Sequence, residues 1–215
     1  MSTRTTLIVT GLLILAAVIL SLSVYNRLPD PMASHWNLND EVDGSMSRPW
    51  GAFLMPVMAA FLTGLLLLVP GIDPLKANIA SFRGAYNAFV VGIVVFLLYL
   101  HKLTLLWNLG YQQFRMSTVL LPAVGLIFVL VGWLLARTRR NWFIGIRTPW
   151  TLSSDTVWEK THRLGSQTFI VMGLVVLFTG LLGSGGLLLI PVVIAFGVLV
   201  PVVYSYVLYR RETHL

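Results

Sequence analysis

Few side chains of this sequence could carry acid–base or metal chemistry. The 215 residues include four histidines and eight acidic residues, and there is no cysteine. Disulfides and thiolate chemistry are therefore excluded. His35 precedes a run of acids in a polar segment, and His101 stands beside Lys102 in an apolar one. The chemistry that remains is cation binding around His35 or proton transfer at His101.

The segment from residue 26 to 49 contains four acids, Asp30, Asp40, Glu41 and Asp43. Histidine and carboxylates bind hard or borderline cations, but their spacing here matches no metal motif, and we predict no metal or other cofactor. The run His35-Trp36-Asn37 is nonetheless chemically richer than a connector requires. We predict a small folded cap, with Trp36 packed on the bilayer surface and an acidic rim that attracts cationic peptides or amines.

His101 and Lys102 are the ionisable pair of the apolar stretches, which contain no Asp or Glu. Lys102 lies close enough to the end of its stretch for its side chain to reach the bilayer surface. We favour ordinary packing for this pair, with a pocket that opens outward at His101 as the alternative. Because proton-coupled transporters usually expose a carboxylate or histidine relay at membrane depth, a transporter is disfavoured.

The composition requires lipid as the solvent for most of the chain. Hydrophobic residues make up 57% of the sequence, charged residues make up 11%, and the mean hydropathy is +0.83. A helix needs about 20 apolar residues to cross the hydrocarbon. Six stretches meet or approach this length: 7–24, 50–69, 86–107, 118–136, 169–182 and 187–208. We predict an all-α fold, a single membrane domain over residues 1–215 with six transmembrane helices. A tight turn at 183–186 would make the last two helices antiparallel neighbours.

The net charge of +7 indicates membrane topology rather than contact with nucleic acid. Eleven of the fifteen Lys and Arg residues lie on the same predicted side as segment 137–165, and three lie on the side of segment 26–49. Because cytoplasmic loops are enriched in Lys and Arg, both termini are predicted to be cytoplasmic. Residues 26–49 then form an outer loop, and residues 137–165 form an inner loop. We predict no direct binding of nucleic acid.

The inner loop contains the most distinctive part of the chain, residues 137–155, with the turn-rich run Gly145 to Thr151 within it. Gly145 and Pro149 favour one fixed backbone shape for this run. Its tryptophans could serve as interface anchors, and the basic residues before Asn141 could bind anionic headgroups. A loop of fixed shape suits either docking of a protein or bracing of the bundle, and the sequence leaves both alternatives open.

A helix is predicted after this run. It can begin at Ser153 or Ser154, which are good N-capping residues, and we expect it to end near Gly165. Trp158 and His162 are then one turn apart on the same side of the helix.

Three parts of the sequence resemble the SdpI family of bacterial membrane immunity proteins. The run from Arg140 to Leu152, followed by Trp158 and Thr161-His162-Arg163, looks like the inner-loop signature of that family. Residues 28–44 resemble its N-terminal outer-loop domain of unknown function. The second-loop pattern of the family is similar to Asp73-Pro74-Leu75 with Asn78 and Tyr86-Asn87. The three parts span nearly the whole chain, in family order.

The resemblance implies a multi-pass protein of the bacterial plasma membrane that protects its producer from a secreted toxic peptide. In the best-known member it also implies capture of a cytoplasmic transcriptional repressor once toxin is bound. We therefore predict a non-enzymatic immunity protein whose partners are the lipid bilayer, a secreted peptide toxin and a cytoplasmic repressor.

The residues on which this function would depend are predicted for both faces. The ligand-binding residues of the outer face are His35, Trp36, Asn37, Asp43 and His101. The partner-binding or loop-bracing residues of the inner face are Asn141, Gly145, Arg147, Thr148, Pro149, Trp150, Trp158 and His162.

Two other classes of function stay open. A small transporter or channel for a cation or amine would need a continuous polar path, which the sequence does not show. A structural subunit of a membrane complex would use exposed small-residue helix faces. An intramembrane protease is the weakest alternative, because the apolar stretches offer no carboxylate dyad and no His-Glu-x-x-His motif.

Overall fold

A computed structural model describes residues 1–37, 39–182 and 190–213. Within these ranges the chain forms eight α-helices, a short 3-10 helix at Tyr25–Arg27 and a two-stranded hairpin. The helices are α1 (Thr3–Val24), α2 (Arg48–Ile72), α3 (Lys76–Ser81), α4 (Arg83–Asn108), α5 (Met116–Leu135), α6 (Pro149–Ser153), α7 (Asp155–Leu182) and α8 (Ile190–Thr213). The strands are β1 (Met32–Trp36) and β2 (Val42–Met46).

Six of these helices are long and apolar enough to cross a membrane: α1, α2, α4, α5, α7 and α8. The predicted all-α class and the six-span bundle are therefore confirmed. The hairpin adds a small element of regular structure to the predicted cap. Its strands are antiparallel, with Met32 opposite Met46 and Trp36 opposite Val42, and the register is irregular around His35.

The long helices form two groups of three. In one group α1, α2 and α4 contact one another, and in the other α7 packs against both α5 and α8. Contact between α4 and α5 joins the groups. Two buried apolar clusters stabilise this arrangement. Leu28, Met32, Ala52 and Leu105 join the hairpin to α2 and α4, and the second cluster consists of Ile79, Phe82, Tyr86, Val90 and Leu134.

The tightest helix packing is between α5 and α7. A Cβ atom added at Gly125 would lie 2.6 Å from the backbone oxygen of Gly173, and one at Gly132 would lie 2.8 Å from the oxygen of Ser166. Small residues allow backbones to approach this closely in membranes. Gly64 in α2 differs from these two glycines, since nothing lies within 4 Å of its added Cβ.

Helix α7 differs from its prediction in length. The helix expected to end near Gly165 continues without interruption to Leu182. The inner loop therefore ends where α7 begins, at Asp155, rather than at residue 165. Glycine inside a helix costs about 1 kcal/mol relative to alanine. At Gly165 the absence of a side chain leaves room for Ile146 and Pro201, which pack against this position. The predicted turn at 183–186 lies outside the described residues.

The bundle has two distinct ends. The hairpin lies at one end, beside the last turn of α4 and the first turn of α5. We call this end the hairpin face. The other end, the basic face, carries α3, α6 and the segment between α5 and α6. The N-terminus lies there too, since Asn87 Nδ2 donates to the backbone oxygen of Met1 at 3.1 Å. The C-terminal half of α8 contacts α6 at the same face.

Candidate functional site

The hairpin is attached to α4 by the side chain of Asn108. Its Oδ1 accepts a hydrogen bond from the Ala33 N–H at 2.8 Å, and its Nδ2 donates to the Ala33 carbonyl at 2.9 Å. The same Nδ2 also donates to the Thr104 carbonyl at 2.9 Å. One amide thus pairs with both polar groups of a strand residue, as a neighbouring strand would. Asn108 is absent from the predicted site, because a lone Asn at a helix end carries no recognisable motif.

A second attachment joins the hairpin turn to α5. Asp40 Oδ1 accepts from the Ser117 N–H at 2.7 Å, and Asp40 Oδ2 accepts from the Ser117 hydroxyl at 2.6 Å. Arg115, at the N-cap position, makes no side-chain capping bond, so Asp40 satisfies a first-turn donor from 77 residues away. The sequence places Asp40 in the acidic rim but gives no sign of this partner.

The predicted outer residues of the loop occupy different parts of the hairpin. His35 Nδ1 and Asp43 Oδ1 lie 2.5 Å apart and form an exposed pair between the strands. Asn37 organises the turn, since its Oδ1 accepts from the Glu41 N–H at 3.0 Å and its Nδ2 donates to Glu41 Oε2 at 2.9 Å. Trp36 packs edge-to-face on Trp107, with ring centroids 5.5 Å apart. These four side chains therefore shape the cap.

His101 lies apart from these four residues. It is 1% exposed and packs between α1, α2 and α4. Ser21 Oγ donates to the Ala52 carbonyl at 2.7 Å and lies 2.8 Å from His101 Nε2. Since the single hydroxyl proton goes to Ala52, His101 Nε2 acts as the donor to Ser21. His101 is therefore buried among three helices, in the packed position that the sequence favours.

Other polar side chains of α1 are satisfied within their own helix. Thr6 donates to the Ser2 carbonyl at 2.9 Å, and Thr10 donates to the Thr6 carbonyl at 2.8 Å. Hydroxyls bonded in this way need no partner in a ligand or water. These buried threonines therefore favour helix packing over a polar path.

On the basic face, Asn141 fixes the backbone of the loop after α5. This side chain is fully buried, and its Oδ1 accepts from the N–H groups of Phe143 at 3.0 Å and Ile144 at 2.6 Å. Its Nδ2 donates to the carbonyls of Arg139 at 2.8 Å and Ile144 at 2.9 Å. All hydrogen-bonding groups of the amide are engaged, so Asn141 is a loop-bracing residue.

His162 closes the same loop onto α7. Its Nδ1 donates to the Trp158 carbonyl at 2.8 Å, and its Nε2 accepts from the Ile146 N–H at 2.9 Å. The ring also stacks on Trp158, with centroids 4.0 Å apart and an angle of 17°. Gly145 has a φ of +120°, and its added Cβ would collide with His162 Nε2. The predicted fixed shape of the run thus depends on glycine at 145.

Of the remaining predicted residues, Thr148 and Trp150 connect the loop to α8. Thr148 caps α6 and forms a capping box with Thr151, and its hydroxyl lies 3.2 Å from the Ser205 hydroxyl. Pro149 occupies the first position of α6, where proline is favoured. Trp150 packs on Tyr206 with ring centroids 5.1 Å apart. Arg147 is exposed, and its guanidinium donates to the Trp142 carbonyl at 2.9 Å.

Two residues before α4 complete the bracing of this loop. The buried Asp73 accepts from the Leu75 N–H at 2.6 Å and from the Trp142 N–H at 2.9 Å. Asn78 Nδ2 donates to the Arg140 carbonyl at 2.7 Å. The sequence marks both residues as part of a family-like pattern but does not indicate that they hold the inner loop.

Within the described residues, no three His, Asp or Glu side chains come close enough to hold a metal ion. Among the residues that the structure describes, His35 and Asp43 form a pair without a third His, Asp or Glu close enough to complete a metal site. Whether the protein uses a cofactor stays a prediction from the sequence.

These features define a multi-pass membrane protein: six apolar helices, a hairpin attached to two of them at one end, and a tightly braced loop at the other. Residues 137–205 match the SdpI/YfhL protein family, and residues 12–60 match a domain of unknown function, DUF1648. The chain is also 26% identical over 208 residues to the immunity protein SdpI of Bacillus subtilis. This alignment covers 95% of this chain and 96% of that protein. The resemblance to the SdpI family is thereby confirmed. No solved structure matches the chain.

Proposed function

We propose that this chain is a non-enzymatic immunity protein of the bacterial plasma membrane that protects the cell from a membrane-active peptide. The observation that carries the proposal is the match to immunity protein SdpI over 95% of the chain. The hairpin face would lie outside and the basic face in the cytoplasm, in agreement with the distribution of Lys and Arg.

The hairpin supplies the surface on which a cationic peptide would bind. Glu41 and Asp43 are exposed there, whereas the Asp40 carboxylate is engaged with Ser117. Trp36, Trp107 and Phe114 form a chain of edge-to-face contacts at the same face of the bundle. Exposed carboxylates and aromatic rings at one face suit a peptide that carries both basic and apolar side chains. His35 and Asn37 would set the shape of this surface rather than contact the peptide first.

Helix α5 offers a route from peptide binding to the basic face. Its first turn is bonded to Asp40, and Thr138, which follows its last turn, accepts a hydrogen bond from Trp158 Nε1 at 3.3 Å. A peptide that favours one position of the hairpin would then favour one position of α5, and with it one arrangement of the loop. Coupling of this kind requires only a difference in peptide affinity between the two arrangements.

The inner loop would present the surface for a cytoplasmic repressor. Trp142 and Phe143 are 52% and 39% exposed, although the backbone that carries them is fixed by Asn141 and Asp73. Exposed aromatic side chains on a rigid backbone are typical of interface anchors. Bracing and docking are therefore compatible: buried residues hold the loop, and exposed ones would contact the partner.

The function is tested by expressing the chain in a sensitive strain and challenging the cells with a membrane-active peptide encoded beside its gene. Expression should raise survival above that of matched cells that lack the chain. Unchanged killing, with the protein present in the membrane, would overturn the immunity proposal.

The acidic surface is tested separately with Glu41→Gln combined with Asp43→Asn, which should lose most of the protection. Glu212→Gln is the matched control, because it removes an exposed acid at the basic face. Equal protection by both variants would show that the hairpin acids are not the binding surface, without affecting the result for the parent chain.

A further inference from the structure

A cleft with an excess of positive charge lies on the basic face, between the segment after α5 and the first turns of α7. It consists of two connected hollows of about 660 and 480 Å³. Both are lined by Thr138, Arg139, Glu159 and Arg163. Arg137 lines the first hollow, and Arg140 and Lys160 line the second. We call these five cations and their surroundings the basic cleft.

The acids of the basic cleft neutralise only part of its charge. Asp155 is paired with Arg140, whose Nε lies 2.8 Å from Oδ1. Glu159 is paired with Arg163 at 3.2 Å. Among the described residues, no carboxylate lies within 4 Å of Arg139 or Lys160. The cleft therefore has three more cations than acids, and two of those cations are available for an anion.

The position of the cleft relative to α5 indicates where such an anion would come from. The membrane-spanning helix α5 ends at Leu135, and Arg137 and Arg139 follow within four residues. The Arg137 guanidinium lies 4.3 Å from the ring centroid of Trp133 and donates to the Trp133 carbonyl at 2.8 Å. Tryptophan and arginine in this order are typical of the headgroup region of a bilayer. This order therefore suits a cleft at the depth of the lipid phosphates.

We propose that the basic cleft binds a phosphate group, with Arg139 and Lys160 as its principal ligands and the headgroup of an anionic phospholipid as its source. Arg139 can donate two parallel hydrogen bonds to a phosphate, and Lys160 adds a point charge from the opposite wall. A free phosphate anion has the same chemistry and is distinguished by experiment. The site does not depend on the proposed immunity function.

The test uses the full chain purified in a mild detergent. Retained phosphatidylglycerol is counted by native mass spectrometry after reconstitution in mixed phosphatidylglycerol and phosphatidylcholine bilayers, and inorganic phosphate is titrated calorimetrically in a second arm. The test variant is Arg139→Gln with Lys160→Gln, both exposed residues whose replacement leaves the bracing contacts intact. The matched control is Arg210→Gln with Arg211→Gln, which removes two exposed cations from the same face outside the cleft.

We expect the Arg139/Lys160 variant to retain phosphatidylglycerol at least about tenfold less well than the parent chain, since each cation near the surface contributes on the order of 1 kcal/mol. The control should retain phosphatidylglycerol within about twofold of the parent chain. Arg139→Lys keeps the charge, so its retention should lie closer to that of the parent than the retention of the Arg139/Lys160 variant does.

Two results support the site and identify its source. Enrichment of phosphatidylglycerol without binding of phosphate assigns the site to a lipid headgroup, and binding of phosphate without lipid enrichment assigns it to a soluble anion. Equal losses in the two double variants would overturn the proposal, because the effect would then be general charge. Failure of both probes to bind a correctly folded parent chain would overturn it as well.

Discussion

Asp40 and Ser117 are joined by two hydrogen bonds, of 2.7 Å to the backbone N–H and 2.6 Å to the hydroxyl. The pair connects the turn of the hairpin with the first turn of α5. Together with the Asn108–Ala33 pairing, it fixes the hairpin to two helices that belong to different three-helix groups. Movement of the hairpin relative to the bundle would therefore break charge-assisted hydrogen bonds.

The first prediction concerns this pair. Asp40→Asn keeps the shape of the side chain but removes its charge and one acceptor. We therefore expect the free energy of unfolding to fall by about 1–2 kcal/mol, as is typical when an N-capping carboxylate is lost. Hydrogen exchange should show faster exchange of the hairpin amides and of the Ser117 amide. Asp43→Asn is the control, because its partner His35 is exposed. Equal exchange in the two variants would contradict a structural role for Asp40.

The second prediction concerns Gly145. Its φ of +120° is strained for any residue with a Cβ, and the added atom would strike His162 Nε2. Gly145→Ala should lower the free energy of unfolding by about 1–3 kcal/mol and expose Trp158. The expected readouts are a lower thermal midpoint in detergent and a red-shifted tryptophan emission. Gly64→Ala, with open space around its Cβ inside α2, should be neutral or stabilising. A parent-like midpoint for Gly145→Ala would show that the loop adapts.

The third prediction concerns orientation. Because the sequence contains no cysteine, single cysteines can be labelled against a silent background. A membrane-impermeant maleimide should label Ser45→Cys on the hairpin in intact cells, and Ser153→Cys at the end of α6 only after permeabilisation. Both positions are exposed. Labelling of Ser153→Cys in intact cells would reverse the proposed orientation and with it the assignment of a cytoplasmic inner loop.

Much of the fold could be predicted because its main signals are local. Apolar length predicts the six spans, and Ser154 before Asp155 predicts the start of α7, where Ser154 Oγ accepts from the Val157 N–H at 3.2 Å. The sequence predicts the wrong end for that helix, because glycine usually disfavours helix, whereas Gly165 here packs against Pro201 of α8. Local propensity carries no information on such tertiary contacts.

The candidate site was predictable only in part, for a related reason. His162 and Trp158 are four residues apart on one helix, so their contact follows from helical spacing. Asp40 and Ser117 are 77 residues apart, and Asp73 and Trp142 are 69 apart. Neither pair leaves a periodic pattern in a single sequence. The sequence therefore identifies residues that shape each loop but misses the distant pairs, Asp40–Ser117 and Asp73–Trp142, that help attach it to the bundle.

The last prediction concerns the buried pair beneath the hairpin. Ser21 accepts a hydrogen bond from the buried His101 and donates to the Ala52 carbonyl, so it joins α1, α2 and α4. Ser21→Ala leaves the His101 N–H without this acceptor, and hydrogen bonds between membrane helices contribute about 1 kcal/mol. We expect a measurable fall in the thermal midpoint of the detergent-solubilised protein. Ser23→Ala is matched, because Ser23 is exposed on the same helix and bonds only to the Leu20 carbonyl. If both variants have the same thermal midpoint as the parent chain, the Ser21–His101 contact adds nothing to the stability of this three-helix group.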